Sequence, residues 1–239
     1  MRDEPWSPEW RGSRLQVLAE DWVECTRCDL HETRSNVVFG RGAVSASILF
    51  VGEGPGENED AEGVPWVGDA GLLLDDMLDD SGIPEEETFL TNLVGCLPPK
   101  HGNQRADPNP TQVKSCWPRL YEIIYIIDPL LVIPVGKVAM KALMKKDPLH
   151  EWNSIVSNHG ALGRIKIPAK ELPFTLEYPA MPILHPAYIL RKDAQHPRTG
   201  AWRPGGEYTQ TVQDLLRAKR IVDELYNARE EVRARFEER

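Results

Sequence analysis

The sequence predicts a single-domain α/β protein with a four-stranded parallel sheet flanked by helices. Its 239 residues suit one domain. Hydrophobic residues make up 41 % of the chain, enough for a full core without disulfide staples. Short apolar runs typical of strands alternate with helical patterns. That alternation indicates a parallel sheet covered on both faces.

The strands and helices follow one another in a regular order. Residues 1–20 are predicted to be an extension that leads into a helix around 13–23, and residues 46–52 form an apolar strand that ends in a Gly-rich loop. The elements predicted next are a helix at 70–80, a strand at 88–94, a helix at 110–127, a strand at 130–135, a helix at 137–143, a strand at 181–184 and a long charged helix at 209–236. Residues 145–179 have no clear period, so we expect an irregular insertion within a domain of residues 21–239.

The composition gives only general indications of where the protein is located and what it binds. No apolar run approaches the roughly 20 residues of a membrane span, and the N-terminus has no secretory h-region, so we expect a cytoplasmic protein without membrane contact. The net charge of −9 argues against a nucleic-acid partner. Two locally basic stretches could nevertheless meet phosphates: Lys100, Arg105, Lys114 and Arg119, then Arg191, Lys192, Arg198 and Arg203. The alternative is a solvated acidic surface with scattered basic residues.

The four cysteines predict a metal site. Cys25 and Cys28 form a Cys-x-x-Cys pair, Cys96 follows a predicted strand, and Cys116 lies on the next predicted helix. Four thiolates are the ligand count of a [4Fe–4S] cluster and also of tetrahedral zinc, and the spacing does not separate the two. Other interpretations are four unrelated buried cysteines, or a redox disulfide that would leave Cys96 and Cys116 unexplained.

Chemically suggestive residues follow three of the predicted strands, at the edge where α/β sheets bind ligands. Residues 52–56 are a Gly-rich loop that could bring backbone N–H groups to developing negative charge. Trp66 could stack on a flat ring or simply fill the core. Asn92 could read the edge of a pyrimidine or cap a turn. His185 could donate a hydrogen bond to an oxyanion or play a structural part.

Taken in order, these segments resemble the family 4 uracil-DNA glycosylases, the iron–sulfur type. The matching stretches are residues 25–30, 51–60, 63–68 with 70–71, 91–99, Cys116 and 185–191. The resemblance implies a uracil-DNA glycosylase-like fold and a [4Fe–4S] cluster held by Cys25, Cys28, Cys96 and Cys116. It also implies an enzyme of base excision repair that flips uracil out of single- or double-stranded DNA and hydrolyses its N-glycosidic bond, leaving an abasic site. We expect a monomer.

The resemblance also implies roles for individual residues. Catalysis would fall to Glu53, Glu59, Asn92 and His185, with Asn92 reading the uracil edge and His185 stabilising negative charge on uracil O2. Gly54 stands where other glycosylases have a water-orienting Asp, so Glu53 and Glu59 are the candidates for that task. The implied uracil pocket consists of Gly52, Gly54, Pro55, Gly56, Trp66, Asn92 and His185. Tyr188, Leu190 and Arg191 would lie on a loop that enters the minor groove.

Three alternative functions stay open. A related group traps the sugar covalently with a His in the loop that here spans residues 100–107, where His101 lies, although that group's surrounding Arg-Ile-His is absent. A non-catalytic module could keep the fold and bind uracil-containing DNA. An electron-transfer protein would use the cluster alone.

Overall fold

The computed structural model describes residues 6–101, 104–145, 147–168, 175–193, 200 and 202–237. The helices are α1 (Pro8–Val23), α2 (Glu57–Glu62), α3 (Asp69–Ser81), α4 (Pro110–Ile127), α5 (Gly136–Met144), α6 (Ile155–Asn158), α7 (Pro186–Lys192) and α8 (Glu207–Glu237). The strands are β1 (Arg41–Gly42), β2 (Ile48–Gly52), β3 (Thr88–Asn92), β4 (Lys100–His101), β5 (Gln104–Arg105), β6 (Leu131–Pro134), β7 (Gly163–Pro168) and β8 (Thr175–Ala180).

The main sheet has six strands in the order β1-β3-β2-β6-β8-β7. Its four central strands, β3, β2, β6 and β8, are parallel, as the alternating pattern predicts. The prediction of only four strands is wrong, because β1 and β7 add antiparallel edges. The fourth parallel strand also lies earlier than predicted, at 175–180, and residues 181–184 contribute a single bridge from Ile183 to Val135.

Part of the stretch predicted to be irregular is a regular hairpin. Within residues 145–179, β7 and β8 pair over six residues each, from Gly163 opposite Ala180 to Pro168 opposite Thr175. The side chains of β7 alternate strictly between buried and exposed, as expected for an edge strand with one face on the core. Residues 169–174, which join these strands, lie outside the described part of the chain.

Helices cover both faces of the sheet and create two hydrophobic layers. One layer includes Leu18 and Trp22 from α1, together with side chains of α4 and α5. The other lies under α3, α7 and α8. Helix α1 begins at Pro8, earlier than the predicted residue 13, because Ser7 caps it by accepting a hydrogen bond from the backbone N–H of Trp10 at 3.1 Å. No helix in the described ranges is both long and apolar enough to cross a membrane.

Helix α1 should contribute strongly to stability through its buried face. Leu18 is 4 % exposed, whereas its neighbour Val17 is 48 % exposed. We expect Leu18→Ala to lower the free energy of unfolding by about 2–5 kcal/mol, because it removes transfer energy and leaves a cavity. Val17→Ala is the matched control and should change it by less than about 0.5 kcal/mol. Chemical denaturation measures both, and equal effects would contradict the described packing of α1.

Candidate functional site

The carboxyl ends of three neighbouring parallel segments meet at one edge of the sheet. Gly52 at the end of β2 is the register partner of Asn92 at the end of β3. The backbone N–H of Leu93 continues this pairing by donating to the carbonyl of Gly52 at 2.9 Å. On the other side, Gly136 donates to the carbonyl of Ile183 at 2.9 Å, which brings the segment before His185 alongside β6. The topology therefore gathers Gly52, Asn92 and His185, as the sequence predicts.

The side chains of Asn92 and Trp66 approach the backbone of Gly52 very closely. A Cβ atom at residue 52 would lie 2.2 Å from Asn92 Oδ1 and 2.5 Å from the Trp66 ring. Only glycine allows the amide and the indole to approach the strand end so closely. Asn92 is 4 % exposed, and none of its side-chain atoms makes a hydrogen bond with another described residue. Its amide thus offers a donor and an acceptor at the sheet edge.

Trp66 is held in an unusual backbone conformation. Its φ angle is 61°, in the left-handed region, which costs a non-glycine residue about 1–3 kcal/mol. Arg41 stabilises this turn by donating to the carbonyl oxygens of Pro65 at 3.1 Å and Trp66 at 3.4 Å, and it pairs with Asp75 at 2.8 Å. The Trp66 carbonyl also sits where a Cβ at Gly71 would be, 1.9 Å away. The surroundings therefore fix the indole firmly.

His185 stacks near Trp66, with ring centroids 5.6 Å apart and an interplanar angle of 27°. It caps helix α7, and its Nδ1 accepts a hydrogen bond from the backbone N–H of Ala187 at 3.2 Å. Burial, with a smaller effect of Arg191, lowers the pKa of His185 to about 4. The ring is therefore neutral near pH 7. Because Nδ1 is an acceptor, the proton of the neutral ring lies on Nε2.

Glu59 ties the Gly-rich loop to the Trp66 loop. One carboxylate oxygen accepts from the backbone N–H of Gly56 and the other from that of Gly68, both at 3.0 Å. Just before Gly56 in the Gly-rich loop, Pro55 is buried, and Gly54 packs against Val94 and Pro98. Each carboxylate oxygen therefore holds one of the two loops.

Glu53 is the partly buried carboxyl of the same loop. Burial, followed by repulsion from Asp107 and a hydrogen bond with that carboxyl, raises the pKa of Glu53 to about 7. Asp107 follows the β4–β5 hairpin, whose Lys100 and Arg105 pair with Glu57 on α2. The hairpin therefore brings a second carboxyl to the loop. The sequence offered no local signal for this pair, since 54 positions separate its members.

The residues predicted to contact DNA lie on helix α7 rather than on a loop. Pro186 occupies the first helical turn, where its fixed φ favours a helix. Tyr188 packs partly against the core, whereas Leu190 is 43 % exposed and Arg191 is exposed. Arg198 and the rest of residues 194–199 lie outside the described residues, as do residues 102–103 and the side chain of His101.

The four cysteines line one small cavity between the α1 end, the segment after β3, and α4. Cys96 and Cys116 are buried, and Cys25 and Cys28 are partly exposed. The Cys25–Cys28 loop is held against α4 by two bonds: Gln112 Nε2 donates to Asp29 at 3.0 Å, and the Ser115 hydroxyl donates to the Arg27 carbonyl at 3.2 Å. The fold thus gathers all four predicted ligands from three separate segments.

The surroundings of this cavity suit a negatively charged group with several sulfur ligands. Burial raises the pKa of the Cys96 thiol to about 11, so a bare thiolate there is unfavourable unless a metal takes the place of the proton. Arg34 Nη1 lies 3.7 Å from the Cys96 sulfur. The donor set, four cysteine sulfurs that line one cavity, fits a [4Fe–4S] cluster and also fits a tetrahedral zinc ion.

Sequence comparison confirms the resemblance. Residues 39–204 match the uracil DNA glycosylase superfamily. The type-4 uracil-DNA glycosylase of Thermotoga maritima is 34 % identical over 76 % of this chain and 85 % of its own length. Those of Sulfurisphaera tokodaii and Pyrobaculum aerophilum are 36 % and 38 % identical, covering 80 % and 75 % of this chain and 86 % of each relative.

A single methyl group at Gly52 should disrupt the site. In Gly52→Ala the new Cβ would overlap both Asn92 and Trp66, so we expect both side chains to shift and activity to fall by about a hundredfold or more. Gly12→Ala is the control. Gly12 lies on helix α1, and a Cβ atom at this position would meet no other atom within 4 Å. Turnover and melting temperature should be measured together. Full activity in Gly52→Ala would contradict the described contact.

Proposed function

We propose that this chain, which belongs to the uracil DNA glycosylase superfamily, hydrolyses the N-glycosidic bond of uracil in DNA. The observation that carries the proposal is the convergence of the Asn92 amide, the Trp66 ring and a neutral His185 at one edge of the sheet. A base inside a duplex cannot reach such an edge, so the nucleotide must flip out first, at a cost of a few kcal/mol.

Asn92 is the proposed reader of the base. Its amide can donate to a uracil carbonyl and accept from the imide N–H. Trp66 provides the flat apolar face against which the ring stacks, and the pocket is completed by the backbone of residues 52–56. Arg41, Gly71 and Glu59 support this pocket by fixing the two loops that form it.

His185 is the proposed stabiliser of the leaving group. As the N-glycosidic bond breaks, its electron pair moves into uracil and negative charge develops on O2. A neutral imidazole with its proton on Nε2 can donate to that oxygen without carrying a charge into the site. Losing one such donor typically costs about 2.7–4 kcal/mol of transition-state stabilisation.

Glu53 is the proposed base. With a pKa near 7 it is partly ionised at neutral pH and can accept a proton from water as the oxygen bonds to C1′ of the sugar. The products are an abasic site and a uracil anion, which takes a proton from solvent. Glu59 does not contact the attacking water. It holds in place the loop that carries Glu53.

The four cysteines are the proposed ligands of a [4Fe–4S] cluster that organises the segments after α1 and β3. Helix α7, through Leu190 and Arg191, is the proposed contact with the minor groove.

Base release from an oligonucleotide with one uracil tests the function, with alkaline strand cleavage as the readout. The purified protein should give cleavage only after alkali. Asn92→Ala and His185→Ala should each lower kcat by about a hundred- to a thousandfold, because each removes a donor to the leaving base. Leu162→Ala, an exposed change elsewhere, is the control.

The outcomes separate the alternatives. Retained release in both variants would refute the assigned roles. Tight binding without release by the unaltered protein would indicate a binding module, and a protein–DNA band that survives denaturation would indicate covalent trapping.

The pH dependence should report Glu53. Because the carboxyl must be ionised to act as a base, kcat/KM should rise with pH and level off above about 7. His185 stays neutral throughout this range. Asp107→Asn removes a neighbouring negative charge and should shift the inflection to lower pH. Glu53→Gln should lower the rate about a hundredfold or more and abolish the inflection; a profile unchanged in Glu53→Gln would rule Glu53 out as the base.

A further inference from the structure

Arg119 is a fully buried cation that touches both the cysteine cavity and the uracil-reading strand. It lies on α4, one turn after Cys116, and lines the cavity formed by the four cysteines. The sequence places it among basic residues that could meet phosphates, but no part of it is exposed. Its burial therefore needs another explanation.

The two Nη atoms of the guanidinium donate hydrogen bonds to residues at and near the end of β3. Nη2 donates to the carbonyl oxygen of Asn92 at 2.6 Å, and Nη1 donates to the Thr91 hydroxyl at 3.2 Å and to the Phe39 carbonyl at 3.0 Å. Thr91 in turn donates to the same Phe39 carbonyl at 2.7 Å. These bonds fix the backbone from which the Asn92 amide extends.

The other end faces sulfur. Nε is buried without a hydrogen-bond partner among the described residues. The cavity that Arg119 lines is also lined by Cys25, Cys28, Cys96 and Cys116. A buried cation without a counter-charge is strongly unfavourable. Cys25, Cys28, Cys96 and Cys116 would hold an iron–sulfur cluster at this cavity, and its four thiolates would give it the net negative charge that a buried guanidinium requires.

We propose that Arg119 is a positioning residue that couples the cluster to uracil recognition: the cluster holds the guanidinium, and the guanidinium holds the backbone of Asn92. The inference deepens the proposed function and rests on it. The cluster then affects base recognition through electrostatics and geometry, with no electron transfer. Arg34 is a useful comparison, because it also faces Cys96 but its described bonds go to the carbonyls of Cys25 and Val23 rather than to β3.

Coupling of two sites is reciprocal, so binding of uracil should also protect the cluster. The first test uses the unaltered protein loaded with about four iron atoms per chain. The protein is mildly oxidised, and the rate at which iron passes to a chelator is measured. The protein is saturated with an oligonucleotide that carries one 2′-fluoro-2′-deoxyuridine, a uracil nucleotide that binds without being cleaved. The same oligonucleotide with thymine controls for simple shielding. We expect release to be several-fold slower with the uracil analogue than with thymine.

Variants then assign the effect to Arg119. Arg119→Lys keeps the positive charge but loses the planar guanidinium, whose several N–H donors can reach β3 and the cysteine cavity at the same time. At matched iron content it should lower kcat/KM about ten- to a hundredfold and abolish the difference between the two oligonucleotides. Arg34→Lys should hasten iron loss but keep the difference, and the exposed Arg164→Lys should change neither quantity.

Equal iron release with both oligonucleotides, or a difference that survives in Arg119→Lys, would overturn the coupling. A chain that binds no iron would overturn it too. These results are distinguishable from failure of the proposed function: a protein that shows the iron-release difference but frees no uracil keeps the coupling and loses the glycosylase activity.

Discussion

Close packing at the carboxyl ends of β2 and β3 is the constraint on which the site depends. Their register sets Gly52 opposite Asn92, and the missing Cβ leaves room for both the Asn92 amide and the Trp66 ring to pack against the Gly52 backbone. The backbone of Trp66 is in the left-handed region. Arg41 and the close approach of Gly71 offset the strain. Local strain near the site is thus held by the surrounding fold.

Burial sets the chemistry of the two titratable groups in opposite ways. Desolvation favours the neutral form of each, which lowers the pKa of His185 to about 4 and raises that of Glu53 to about 7. Above pH 7 the site therefore combines a neutral imidazole with an ionised carboxylate. That is the pairing needed for a hydrogen-bond donor to the leaving group and a base for water. One physical effect accounts for both assignments.

The sequence predicts the parallel centre of the fold because buried parallel strands read as short apolar runs between helical patterns. The prediction misses both sheet edges: β1 has only two residues, whereas β7 has a six-residue alternation that is a strand signal and that the prediction of an irregular stretch did not take into account. The proposed site residues Asn92 and His185 follow predicted strands, so the sequence pattern singles them out, whereas Glu53 is indicated by the family resemblance. Partners distant in sequence are not indicated, since nothing near Glu53 signals Asp107. For residues 186–192, Pro186 after the capping residue His185 is a helix-start signal, and the structure accordingly has a helix there instead of the loop that the family resemblance implies.

Arg119 shows why local charge is a poor guide to the role of a basic residue. A count of Lys and Arg residues does not distinguish an exposed cation from a buried one. Arg119 is 0 % exposed, and a charge buried in this way is unfavourable unless a group of opposite charge lies nearby. On one side the guanidinium donates to the Asn92 carbonyl at the end of β3, and on the other it lines the cysteine cavity. A cluster placed there lowers the cost of burying the guanidinium, and the guanidinium in turn orders Asn92. An iron–sulfur centre can in this way serve base recognition without changing its oxidation state.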